Sequence, residues 1–435
     1  MKRIDLKIAV AAVKGLVAAM GIVLLTTACS SDTIEGNAEV LTKDMISITT
    51  DEGCKIFFLN HQDGTVSVTY DRRNPMHKNG LNQYVLTDYV GEVVVPASIE
   101  VNGVTYRVVG VTESAFMNNT TLTKVVLPNT VTSIGQMAFE NCQMLEEVNV
   151  PEGVTEIPDF CFYNCKALRI VEMPLYMTRI GKNAFKSCTK LEKMHVPEGI
   201  TELSDELFRG CSVLTDLTLP STLTKIGKKA FYGCGQITAM HIPDGVKELP
   251  DSCFYGCGKI AELTLPANLT SVGVHCFRGC SGFTVLDLPK SLRQISRLAF
   301  YACSKVVKVE VPEGITALPD SAFAACSGLL EVIIPETVTT LGEGTFAACR
   351  SLFTITLPES VKEIGEKCFY SVNNEGVGNW RNLEIFVKST VPPTVHGTFV
   401  NQTNRRRVIV PRGYRDVYLQ TPYWNEFKEV METNY

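Results

Sequence analysis

The chain has 435 residues, of which 45% are hydrophobic and 20% charged, and its formal net charge is −5. This balance excludes an intrinsically disordered chain, and it offers no basic surface for nucleic acid. A chain this long usually divides into two or three globular domains, unless repeats let it grow in one dimension.

Residues 1–28 read as a signal peptide, with Lys2, Arg3, Lys7 and Lys14 as its basic head and residues 15–25 as its apolar core. That core is too short for a permanent anchor, since a spanning helix needs ~20 apolar residues. The run Leu25-Thr26-Thr27-Ala28-Cys29 resembles a bacterial lipobox, although Thr26 stands where leucine is preferred. The resemblance implies cleavage before Cys29 and a diacylglycerol on its sulfur; ordinary secretion with an incidental Cys29 is the alternative. Cleavage removes four basic groups and one acid, taking the net charge from −5 to −8.

Residues 29–45 carry the anchor and a polar tether. Residues 46–92 lie outside any repeat and read as a β-rich N-terminal cap, with strands at 55–59 and 65–70 around Asp63-Gly64. The repeat array spans 93–370. Its first unit starts at Val93-Val94-Val95-Pro96 and carries an inserted Asn102-Gly103 hairpin.

A phenylalanine then recurs every 23 residues at 116, 139, 162, 185, 208, 231, 254, 277, 300, 323, 346 and 369. A fixed period of this size predicts a solenoid whose units bury their apolar faces only against each other. Apolar residues six, nine and eleven positions later, such as Leu214, Leu217 and Leu219, have the spacing of a leucine-rich repeat with a short strand. Proline at the twelfth position ends that strand. Ile134, Ala138, Phe139 and Cys142 fit one side of a short helical turn, so the expected fold is an α/β repeat solenoid. Gly181, Gly227 and Gly273 alternate with Pro-Asp pairs at 158, 250 and 319, which suggests duplication of a 46-residue pair.

Ten of the 16 cysteines form one column three residues after the phenylalanine, and Cys161, Cys253, Cys276 and Cys368 precede it in place of alanine. Both columns face the core, so buried thiols acting as small hydrophobes are expected, with disulfides the alternative. No Cys-x-x-Cys pair with matching histidines points to zinc. Residues 371–435 read as degenerate repeats and a C-terminal cap, with Tyr418, Tyr423 and Trp424 as a lid. Arg405-Arg406-Arg407 reads as solvated loop charge.

The unit Ile-Gly-x-x-Ala-Phe-x-x-Cys-x-x-Leu-x-x-x-x-x-Pro at residues 134–151, repeated at 226–243, resembles the BspA-type leucine-rich repeat family of bacterial surface proteins. The resemblance extends over about 93–430 and includes Val410-Pro411-Arg412-Gly413-Tyr414. It implies an outer-membrane lipoprotein, held to the membrane by its lipid alone and exposed at the cell surface. Adhesion to a protein or another cell is the implied function, and a periplasm-facing scaffold or glycan-binding accessory protein is the alternative.

Two surfaces are candidates for contact. Outward strand positions include Lys193, His195, Asp216, Thr218, His241, Glu262, Thr264 and Asp287. Over all repeats this set holds seven acids, three lysines and no aromatic, which favours a protein partner over a stacked sugar. The second candidate is a stripe of tyrosines directly after the phenylalanine: Tyr163, Tyr232, Tyr255 and Tyr301. His195 and His241 lie two coils apart, ~10 Å, too far to share a metal. No H-E-x-x-H, G-x-S-x-G or Walker motif occurs, so neither catalysis nor a cofactor is expected.

Overall fold

The computed structural model describes residues 37–50, 53–72, 77–78, 84–85, 89–370, 372, 383–400 and 407–435. The expected signal peptide, Cys29, Arg405 and Arg406 lie outside these residues.

Each 23-residue repeat forms one coil with two short strands, a proline corner between them and a tight bend that closes the coil. In the first strand, as in Lys193–His195, the middle residue points inward and its two neighbours outward. The second strand has two residues, as in Glu202–Leu203. Equivalent strands of adjacent coils pair in parallel at an offset of 23 residues: Lys193 lies opposite Asp216, and Glu202 opposite Lys225. Side chains that alternate on so short a strand can bury only one face, and the neighbouring coils complete the core.

The twelve phenylalanines fill that core. All are buried, and successive rings lie nearly parallel with centroids 5.0–6.0 Å apart. Such separations fit offset stacking, which aromatic quadrupoles prefer over a face-on sandwich.

The expected helical turn is absent, and the architecture is a β-solenoid. Around Phe139 the backbone is left-handed at Met137 (φ 55°) and again at Asn141 (φ 60°), and the same two positions are left-handed in coil after coil. This conformation aims alternate N–H groups along the rod. Met137, Phe139 and Asn141 donate to Asp159, Cys161 and Tyr163 of the next coil, while Glu140 and Cys142 bond back three residues within their own. A helix would spend all these donors inside one coil. The only α-helix among the described residues is Arg415–Gln420, in the C-terminal cap.

The cysteine column closes the same bend. All fifteen described cysteines are free thiols, and each column member donates its S–H to the carbonyl of the phenylalanine 26 residues earlier, as from Cys257 to Phe231 at 3.1 Å. Burial pushes the Cys257 and Cys326 thiols up to about 12, so they stay protonated and unreactive.

The glycines of the 46-residue alternation are sterically required where they stand. A Cβ on Gly181 would lie 2.4 Å from the backbone nitrogen of Asp159, and one on Gly135, Gly227 or Gly365 would meet the preceding coil as closely. The Asp159 carboxylate then accepts the backbone N–H of Lys182 at 3.0 Å, and Asp205, Asp251 and Asp320 do the same one coil on.

At the N-terminal end, strands Asn37–Thr42, Met45–Thr49, Lys55–Asn60 and Thr65–Thr69 form an antiparallel meander. Its last strand pairs in parallel with Val104–Val111, which leads into the second-strand ladder at Ser133–Ile134. The chain is thus already a strand from Asn37, inside the stretch expected as a tether. Ser98–Val101 and Val104–Val111 form the expected hairpin, with Asn102 and Gly103 both at positive φ. Tyr89 covers Phe116, its ring centroid 4.7 Å away. At the other end Phe399 covers Phe369, and buried Tyr418 and Trp424 with Phe427 close over it.

Candidate functional site

The strand face carries Lys193, His195, Asp216, Thr218, His241, Glu262, Thr264 and Asp287 exposed, as their alternation requires. Its lysines are committed to neighbours: Lys124 reaches Glu92 and Glu147, Lys193 lies 3.8 Å from Asp216, and Lys308 lies 3.2 Å from Glu331. Glu172, Glu262, Asp287 and Glu310 have no ion pair among the described residues. The exposed charge of this face is therefore negative.

The face is not one continuous sheet. Lys193–His195 pairs with Asp216–Thr218, and Ala239–His241 with Glu262–Thr264, but no pairing joins these two-stranded units to each other or to Val285–Leu286. At the interruptions the inward leucines are incompletely covered. Leu217, Leu219, Leu263 and Leu265 are half-buried, whereas Met194, Val196, Met240 and Ile242 are buried. The buried strands read Met-His-Val or Met-His-Ile and the half-buried ones Leu-Thr-Leu, in the same 46-residue alternation.

The tyrosine stripe proves to be one part of a longer column. At the position after the phenylalanine, consecutive coils place Tyr163, Lys186, Arg209, Tyr232, Tyr255, Arg278 and Tyr301. Tyr232 and Tyr255 stack at 4.5 Å, Arg209 lies over Tyr232 at 5.0 Å, and Arg278 sits between Tyr255 at 5.5 Å and Tyr301 at 4.6 Å. Lys186 covers Tyr163. The faces of Tyr232 and Tyr255 are thus taken by each other and by the arginines, and a sugar ring finds no platform there. The interleaved cations stand in the same 23-residue phase as the tyrosines and are legible in the sequence.

Glu206 neutralises the first half of the column, accepting from Lys186 at 2.7 Å and Arg209 at 2.9 Å, with Lys229 at 3.5 Å. Burial raises its carboxyl, but the hydrogen bonds from Lys186 and Arg209 outweigh this and hold it at about 2, below the ordinary 4.5. A carboxylate depressed by folding stabilises the fold fully above its ordinary value and ceases to do so as the pH falls from 4.5 toward 2. Discounted for solvent screening, this contribution is ~1–3 kcal/mol. Urea unfolding near neutral pH and again in acid, on the wild type and on Glu206→Gln, measures it. The variant is expected to be less stable near neutrality and to converge on the wild type in acid; equal differences at both pH values would count against the assignment.

His195 and His241 stand exposed on separate strand pairs. Among the described residues no three His, Cys, Asp or Glu side chains are placed to hold a metal, and no helix is long and apolar enough to cross a membrane. Arg407 is not free loop charge: its guanidinium binds Glu384 at 2.8 Å and Glu429 at 2.6 Å.

Two parallel ladders per coil, stacked on a phenylalanine spine and closed by caps, define a leucine-rich repeat solenoid. The chain belongs to the BspA-type leucine-rich repeat family, whose model matches in six copies over 110–238, 201–330 and 247–376. It is similar to a leucine-rich repeat protein of Bacteroides ovatus ATCC 8483 at 25% identity and a TM-score of 0.67, over 87% of this chain and 98% of that one. A leucine rich cell surface protein of Faecalibacterium prausnitzii A2-165 shares the fold at 23% identity and a TM-score of 0.55, over 89% and 95%. No curated protein matches. Proteins of this repeat class are generally scaffolds for protein interaction rather than enzymes.

Proposed function

We propose that this chain is a non-catalytic recognition protein, anchored through Cys29 at the outer membrane and facing outward, that binds a protein partner or cell surface through its strand face. The observation that carries this reading is the half-buried set Leu217, Leu219, Leu263 and Leu265 on a face whose acids Glu262 and Asp287, in the coil of Leu263 and the next, have no ion pair among the described residues. An apolar centre inside a polar rim is how protein contacts are built, and the negative rim calls for a basic surface on the partner. The occupied tyrosine faces weigh against a stacked glycan.

Brief protease treatment of intact cells, with lysed cells as control, tests the outward orientation. Loss of the rod only after lysis would favour the periplasm-facing scaffold. For the face itself, beads carrying the purified chain are presented to epithelial cells, bacterial cells and a panel of extracellular matrix proteins. The double variant Glu262→Lys, Asp287→Lys is expected to abolish attachment; retention of wild-type attachment would remove the strand face from consideration.

A further inference from the structure

The column beside the phenylalanine spine contains its own example of a bound carboxylate. Arg209, laid over Tyr232, holds Glu206 from three positions earlier in the same coil at 2.9 Å. Three whole repeats later, 69 residues on, Arg278 occupies the equivalent position, clamped between Tyr255 and Tyr301. The residue that corresponds to Glu206 is His275.

Here the carboxylate is missing while the positive charge remains. Among the described residues Arg278 and Arg297 make no ion pair, and the Arg278 side chain donates no hydrogen bond. Asp251, the one acid felt by His275, already accepts from the Val274 N–H at 2.9 Å and from Lys228 at 3.0 Å. His275 Nδ1 is buried without a hydrogen-bond partner, and burial together with Arg278 and Arg297 holds the imidazole below its ordinary value, so it stays neutral. The guanidinium carbon of Arg278 lies over both tyrosine rings while its N–H donors have no hydrogen-bond partner among the described residues, and such a fork grips a carboxylate through two parallel bonds.

We propose that Arg278, supported by Arg297 and His275, is a binding site for a carboxylate, supplied by an acidic segment of a protein partner. The Glu206 cluster shows the chemistry satisfied from within the chain. A peptide is favoured over a glycan because Tyr255 is already stacked on Tyr232 and Arg278 lies over both Tyr255 and Tyr301. The next position along four consecutive coils is glycine, and a Cβ on Gly256 would meet only Gly233, at 3.9 Å, so an extended chain can approach the bare backbone. This site does not rest on the strand face.

Fluorescence anisotropy of labelled hexaglutamate, titrated with the purified full chain, tests it. Hexaglutamate is expected to bind, and hexaserine not. Arg278→Gln should weaken binding at least about tenfold, the loss of a charge-assisted hydrogen-bonded pair. Arg278→Lys should also weaken it, because it keeps the charge but loses the fork. Arg297→Gln gives a second reading if Arg278→Gln does not fold, and should weaken binding in the same direction. Arg350→Gln, an exposed arginine three coils away, should bind as the wild type does. Equal affinity for hexaserine, insensitivity to all three site variants, an equal loss in Arg350→Gln, or capture of a heparin fragment in place of hexaglutamate would overturn the proposal. The Glu262→Lys, Asp287→Lys variant should retain hexaglutamate binding, so failure of the strand-face reading and failure of this one are separate results.

Discussion

Phe231→Ala is expected to destabilise the chain by ~3–5 kcal/mol, the range for truncating a buried aromatic that cannot be replaced by collapse of its surroundings. Collapse is hindered here because the ring stacks on both sides, on Phe208 at 6.0 Å and on Phe254 at 5.1 Å, and the backbone around it is fixed by hydrogen bonds to the next coil. The cavity therefore breaks two interfaces. In an array held together by nearest neighbours, the coils of Phe208 and Phe254 should loosen with the mutated one. Urea unfolding gives the magnitude, and hydrogen exchange by mass spectrometry gives the spread. If exchange rose in the mutated repeat alone, the coupling between coils would be refuted.

The periodic part of this architecture was legible because a fixed 23-residue phase leaves little choice. Phe231 must be inside if eleven equivalents are, and Asn102-Gly103 and Trp424 were recognisable as a turn and a lid from their residue types. The bend was misread for a definite reason. The spacing of Ile134, Ala138, Phe139 and Cys142 puts those side chains inward in a helical turn and also in the alternating backbone found here, so burial cannot distinguish the two. The discriminating signal was the run Asn118, Asn141, Asn164, Gly210, Gly233, Gly256 and Gly279 two residues after the phenylalanine, the residue types that best tolerate positive φ. The partial exposure of Leu217 and Leu263 follows the same 46-residue alternation, in which Leu-Thr-Leu strands alternate with Met-His-Val or Met-His-Ile strands. Met194 and Met240 occupy the same column and are buried, and their strands pair with the next coil whereas those of Leu217 and Leu263 do not; Val332, also at the end of a ladder, is buried, so the open ladder alone does not expose the column.

Trp424→Ala should also cost ~3–5 kcal/mol at its own site, but with a different spatial signature. The indole is fully buried, packs against Phe399 at 5.2 Å and Tyr418 at 5.2 Å, and donates Nε1–H to the Pro393 carbonyl at 2.9 Å. Truncation leaves a cavity and a buried carbonyl without its donor. Because the lid has neighbours on one side only, the chain can release the last coils without opening the interior. Faster exchange is therefore expected at residues 383–435, while protection around Phe139 and Phe162 stays at its wild-type level. An interior cavity has no such local exit, since Phe231 is held from both directions. If Trp424→Ala instead lowered protection evenly along the rod, the solenoid would be a single cooperative unit rather than a chain of coupled coils.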